Sequence, residues 1–305
     1  MAIGAVILFF GLVIDRLIGD PRSNFHPVAL IGRFIGLWGR TNFYSPRTER
    51  FIGIVGWLLT VGIAILPCLL VLLYAPWYIS LPFSAIVLAF CIGWRSLEEH
   101  VKAVETALEQ GEEEGRKAVR YLVSRDTKTL SFEQIRSGAY ESAAENLVDS
   151  IIAPIFWFVV FELLFGMGII GAVLFRSANT MDAMLGYKDE RIRLGWFPAR
   201  MDDILAFIPA RITGAVLLLI FLLKGRIKQA WYIFKHDRKL RPGFNGGIPM
   251  SLIAGGCGVM FEKSGVYQIG YPEQTLAEGG KMIIRTIQWC TVICAAISIL
   301  LLIFI

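Results

Sequence analysis

The chain has 305 residues, 55% of them hydrophobic and only 18% charged, with a mean hydropathy of +0.60 and a formal charge of +5. Soluble domains carry about 25% charged residues, so this balance excludes an ordinary soluble globule and points to a polytopic membrane protein. The positive charge collects in loops, with no arginine-rich tract or aromatic platform. That pattern excludes nucleic acid as the partner and suits an anionic bilayer surface or a phosphorylated substrate.

In chain order, residues 1–14 form an apolar stretch with no basic n-region and no small-residue cleavage site, which predicts a retained, short first membrane helix. Asp15 and Asp20 flank Gly19 at its end, and Pro21, Arg22, His26 and Arg33 follow. An acidic pair of this kind can hold magnesium through a few oxygens while arginines bind phosphate. The alternative is interfacial anchoring, with the aspartates paired to the neighbouring arginines. About five spans follow from hydropathy, at 51–74, 81–94, 151–175, 204–223 and 283–305. The 81–94 run is short, 151–175 carries Glu162, Gly166 and Gly168, and 204–223 contains Pro209 and Arg211.

Basic residues crowd the loops 16–50, 95–125, 176–200 and 224–241, whereas 75–80 has none. The positive-inside rule puts the basic loops in the cytoplasm, which predicts that 151–175 or 204–223 re-enters the membrane or forms a hairpin. The expected fold is therefore all-α: a polytopic α-helical membrane protein with about five spans, broken or re-entrant helices and a cytoplasmic helical block over 95–150, in a single domain covering 1–305. Within the block, Ser96 with Glu98 and Glu99 opens a helix, and Val101, Val104 and Leu108 lie at helical spacing. Gly111 and Gly115 are expected to divide the block into two helices, with Glu112 to Glu114 on a solvated face.

The strongest constellation is Glu141, Glu145 and Asp149, successive i, i+4 positions spread over about 80° of a helix face. Stacked like charges repel, so a divalent cation, an arginine cluster or water must compensate for them. Either a metal or substrate site or a solvated helix end satisfies this. Pro154 follows within the apolar run, where it kinks or restarts a helix. The 176–211 segment mixes Asn179, Asp182, Lys188, Glu190, Arg191, Arg193, Arg200, Asp202, Asp203 and Arg211, read either as a site facing the interior or as mutual salt bridges. Asn245-Gly246-Gly247 gives exposed amides able to meet phosphate, or simply tight helix packing. The five cysteines sit in apolar stretches as small hydrophobes, and His100 and His236 lie in charged, solvated stretches. There is no phosphate loop, dinucleotide fingerprint, zinc-protease motif or nucleophile elbow.

Together these motifs resemble the adenosylcobinamide-phosphate synthase family (CobD/CbiB type), membrane proteins of late cobalamin biosynthesis. The resemblance rests on 15–33 (DRLIGDPRSNFHPVALIGR), Arg125-Asp126-Thr127, 141–157 (ESAAENLVDSIIAPIFW), 179–193 (NTMDAMLGYKDERIR), 199–214 (ARMDDILAFIPARITG) and 245–249 (NGGIP). The family commonly reads Ser-Pro-Asn-Ala-Gly where this chain has Gly243-Phe244-Asn245-Gly246-Gly247, so no role for that serine carries over.

The resemblance implies ATP-dependent amide formation between adenosylcobyric acid and (R)-1-aminopropan-2-yl phosphate, with Mg2+ as cofactor and ATP as co-substrate. It implies an inner-membrane, multi-pass enzyme with a cytoplasmic active site, working beside other late cobalamin-pathway membrane enzymes. By residue chemistry, Asp20, Glu141, Glu145 and Asp149 are the expected metal ligands or base. Arg22, Arg125, Lys188, Arg191 and Arg200 are expected to hold phosphates. Asn146, Asn179 and Asn245 supply hydrogen bonds, and His26 orients a phosphate or carboxylate. Competing readings are a corrinoid transporter or sensor-like relative, and a lipid-phosphate phosphotransferase.

Overall fold

A chain whose backbone crosses hydrocarbon must satisfy its polar groups internally, in helices or a closed barrel, and apolar runs as long as these do so as helices. The computed structural model describes residues 2–19 and 26–305, so Asp20 and Arg22 lie outside the described residues. The elements run α1 (Ala2–Ile18), α2 (Pro27–Trp38), α3 (Glu49–Tyr74), α4 (Trp77–Cys91), α5 (Trp94–Gln110), α6 (Glu112–Val119) and α7 (Phe132–Leu147). A turn of π-helix over Val148–Ile152 leads into α8 (Ala153–Phe165) and α9 (Gly168–Leu185). Then come α10 (Trp196–Leu223), α11 (Ile227–Asp237), α12 (Gly247–Cys257), β1 (Met260–Lys263), β2 (Tyr267–Gly270) and α13 (Leu276–Phe304).

Five stretches among the described residues are long and apolar enough to cross a membrane: Glu49–Tyr74, Trp77–Gln110, Phe132–Phe165, Trp196–Leu223 and Leu276–Phe304. The protein is an all-α polytopic membrane protein. It also carries one short antiparallel hairpin, β1 with β2, that no periodicity announced. The N-terminal helix is present as α1.

The apolar run 151–175, read as one span, is instead folded back on itself. Gly166 takes a left-handed φ of +67° that ends α8, and α9 starts two residues later. The hairpin expected in one of the two awkward runs is therefore here. It closes tightly because a Cβ on Gly171 would sit 2.1 Å from the Trp157 carbonyl oxygen. The run 204–223 lies within one helix, α10, despite Pro209. Pro154 offers no N–H to the Ser150 carbonyl four residues back. That carbonyl accepts instead from the Gly93 backbone N–H, 2.8 Å away.

The chain divides into two compact units. The first holds 1–93, 149–206 and 295–305; the second holds 94–148 and 207–294. In the first, α1 packs on α4, and α2 and α3 pack on α9. In the second, α5, α6 and α7 share a core of Val104, Leu108, Val119, Leu130, Ile135 and Ala139. Here the two-helix expectation needs correcting. Gly111 does separate α5 from α6, but Gly115 lies inside α6, buried against Leu108, and α7 makes a third helix. Glu112 and Glu114 pair with Arg116 and Lys117 on a largely solvated face. Ser131 opens α7 with a reciprocal capping box to Gln134.

Candidate functional site

The second unit builds a polar cluster around Glu141, buried on α7. Arg125 donates from Nη2 to Glu141 Oε1 at 3.2 Å, and the side chains are only 12% and 8% exposed. Ser137, one turn before Glu141, donates to the same carboxylate oxygen. The Tyr267 hydroxyl donates to Glu141 Oε2 at 2.7 Å. Two opposite charges buried this deeply hold only when their remaining hydrogen-bonding capacity is used, and here most of it is. Arg125 is shared with the hairpin, donating from Nη1 to the Glu262 carbonyl at 2.9 Å. Its Nε has no hydrogen-bond partner among the described residues. Gly138 leaves the room that Arg125 occupies, since a Cβ there would lie 2.9 Å from Nη2. The Glu262 N–H donates back to Ser137 Oγ at 2.6 Å, so α7 and β1 are stitched by side chain and backbone. Burial, and then the Glu141 charge, push the Tyr267 phenol up from its ordinary value, so it stays a donor.

One turn on, Glu145 forms an ion pair with Arg241. The stacked carboxylates at 141 and 145 are thus each compensated by an arginine, one of the three solutions open at the sequence level. Arg241 lies in the segment before α12, with Gly246 packed close to its guanidinium. In the same segment the buried Asn245 accepts from Arg211 Nη1 at 2.6 Å, and Arg211 also donates to the Phe244 and Phe207 carbonyls. The Arg211 guanidinium sits 3.5 Å from the centre of the Phe207 ring. Asn146 turns its amide onto Ser142, at 2.9 Å to the carbonyl.

The first unit holds a separate, acidic cluster. Asp149 lies in the π-helical turn, and its charge, with those of Asp182 and Asp203, bears on the buried Asp202. Asn179 donates to Asp202 Oδ1 at 3.2 Å. Arg176 reaches Ser150 Oγ at 3.5 Å while its buried Nε has no hydrogen-bond partner among the described residues. Lys188 and Arg200 are exposed. Arg191 is engaged by Asp189 and donates to the Met184 carbonyl at 2.9 Å. Those bonds hold the Asp189 carboxyl down to about 2. His26 caps α2, its Nδ1 accepting from the Val28 N–H at 3.3 Å, and its ring packs edge-on against Phe90.

Carboxylate oxygens are the donors that a hard divalent cation takes, and magnesium usually needs only one or two of them because it keeps its waters. The aspartates of the first unit fit that ion in kind. Among the described residues, no group of three or more histidine, cysteine or carboxylate side chains is gathered as a ready-made cage. Glu141 and Glu145 fit a metal less well, because each already faces an arginine.

Sequence reasoning missed Ser137, Tyr267 and Arg241 as members of the site. Tyr267 and Arg241 stand in segments with no local motif, and only the fold brings them to α7.

The family model described as "CobD/Cbib protein" matches residues 8–293. The chain is 39% identical over 272 residues to the "Probable cobalamin biosynthesis protein CobD" of Methanothermobacter thermautotrophicus, covering 87% of this chain and 86% of that one. It is 38% identical over 265 residues to the protein of the same name from Thermococcus kodakarensis, covering 86% and 84%. It is 35% identical over 272 residues to the "Cobalamin biosynthesis protein CobD" of Dehalococcoides mccartyi, covering 87% and 86%. No solved structure matches the chain.

Proposed function

Because the chain belongs to the CobD/CbiB family of cobalamin-biosynthesis proteins, we propose that it is the ATP-dependent ligase joining adenosylcobyric acid to (R)-1-aminopropan-2-yl phosphate to give adenosylcobinamide phosphate. The match over residues 8–293 carries this reading. The chemistry of the two clusters supports it. A carboxylate resists an amine until one of its oxygens becomes a leaving group. Phosphoryl transfer from ATP to the corrinoid carboxylate supplies that group; the amine nitrogen then attacks the acyl carbon, phosphate departs, and the nitrogen gives up a proton.

Such a sequence needs cations on phosphates and a base for the amine. In the second unit Arg125, Arg211 and Arg241 are the cations, Asn245 is the hydrogen-bonding contact, and Glu145 is the base. Glu141 positions Arg125. In the first unit Asp149 or Asp202 would hold magnesium through one or two carboxylates, the ion keeping its waters, and Asn179, Lys188, Arg191 and Arg200 would meet nucleotide phosphates. Bound magnesium would neutralise charge on the phosphoryl oxygens. Asp20 and Arg22 keep the same assignments by residue chemistry, and His26 presents its ring as the cap of α2. The basic loops support a cytoplasmic active site in the inner membrane.

The test is reconstitution: detergent-purified protein with ATP, magnesium, adenosylcobyric acid and aminopropanol phosphate, with product followed by mass spectrometry. An amide product dependent on both ATP and magnesium is expected. Its absence with verified substrates overturns the reading, and corrinoid uptake into sealed vesicles without amidation would assign transport instead.

A further inference from the structure

In the first unit the start of α1, the end of α3, the start of α4, the end of α8 and the start of α9 surround a cavity of about 390 Å3. Its walls are apolar, from Ile3, Ile7, Leu72 and Leu81, but Ser84 and Glu162 also line it. Among the described residues on that lining Glu162 is the only charged side chain, and it is 7% exposed. Its Oε2 accepts from the Gly168 N–H at 2.9 Å, which ties it to the α8–α9 turn. Gly4 leaves room for the carboxylate, since a Cβ there would lie 2.5 Å from Oε1.

Ser84 is the second, independent observation. It is 1% exposed, and its hydroxyl has no hydrogen-bond partner among the described residues. Helical hydroxyls in an apolar setting normally turn back to the carbonyl four residues earlier. Thr60 and Ser177 both do so here, at 2.7 Å. Ser84 does not, and a buried polar group left unpaired calls for a partner.

We propose that this cavity is a binding site for an organic ammonium: a primary amine on a hydrocarbon chain. The amine N–H groups donate to the Glu162 carboxylate and the Ser84 oxygen, and the chain lies against the isoleucine and leucine walls. A carboxylate head, or a phosphate head with no ammonium to lead it in, is repelled by Glu162, and an alcohol forgoes the charge-assisted bond. Trp77, on the lining and 73% exposed, is a residue type that settles at headgroup level, where an amphiphile enters. The amine can come from a free amphiphile or from the head of a membrane lipid. The site is independent of the proposed reaction.

Octylamine, octanol and octanoate, titrated calorimetrically into the full chain in phosphatidylcholine nanodiscs, test this. Saturable octylamine binding is expected, with octanol about tenfold weaker and octanoate silent. Glu162→Gln keeps an oxygen for the Gly168 N–H and is expected to lose about tenfold in octylamine affinity; Ser84→Ala loses about threefold. Repeating the titration with phosphatidylethanolamine in the disc separates the sources, because competition assigns the lipid head and its absence assigns a free amine. Equal affinity for octanol and octylamine, no saturable binding, or undiminished octylamine affinity in Glu162→Gln overturns the proposal. Should Glu162→Gln fail to fold, Ser84→Ala and the octanol comparison decide it.

Discussion

Glu141 and Arg125 are a buried pair whose members are worth less apart than together. Removing one partner leaves the other charge uncompensated, which typically costs about 3–5 kcal/mol, whereas removing both can be nearly neutral. Arg125→Met is therefore expected to lower stability by about 3 kcal/mol, and adding Glu141→Gln should recover part of that loss. Thermal unfolding in detergent measures both, and additive losses in the double variant would refute the pairing. Glu145 stands differently. It is half-buried on the same helix, and Glu145→Gln removes the proposed base without stranding a buried group. Turnover is expected to fall about 100-fold with the unfolding midpoint near wild type, as read by the amide-forming assay beside a melt. That Glu141 and Glu145 needed compensation was legible from their spacing. That arginines compensate them was not, because Arg125 reaches Glu141 from the irregular loop before α7 and Arg241 lies 96 residues beyond Glu145.

The hairpin β1–β2 is held to α7 by Tyr267, Ser137 and Arg125 rather than by its own short ladder. The phenol's folded pKa is raised above its ordinary value of about 10. Its contribution is thus fully present below the unfolded value and is lost as pH rises through the folded one. Hydrogen exchange of residues 260–270 is expected to accelerate above about pH 10, and Tyr267→Phe should show fast exchange already at neutral pH with that alkaline step gone. Strands reading Met-Phe-Glu-Lys and Tyr-Gln-Ile-Gly have too little alternation to be seen in a hydropathy profile. The helices were legible because hydropathy and length alone demand them. The α8–α9 turn was half legible: Gly166 marked it, but the continuous apolar run concealed it. At Gly171, Gly171→Leu is expected to cost about 1–3 kcal/mol through overpacking against Trp157, as measured by thermal midpoint.

At the scale of the whole molecule, the cysteines report on packing. Cys68, Cys91, Cys257, Cys290 and Cys294 are all buried thiols outside any disulfide, and burial pushes the Cys257 thiol up to about 11. None is expected to react with maleimide at pH 7.5 until the protein is denatured, when five adducts should appear by intact mass; an adduct on the folded protein would contradict the packing. The bond from Gly93 to the Ser150 carbonyl bears on how such a protein is made. A carbonyl that loses its helical donor to a proline is costly to leave unmet in hydrocarbon. Its donor lies more than fifty residues earlier in the chain, so during synthesis α4 emerges from the ribosome first and can wait in the bilayer for α8. Translation order itself then chaperones the Pro154 break. A circular permutant that delivers α8 before α4 should insert that segment slowly and be degraded.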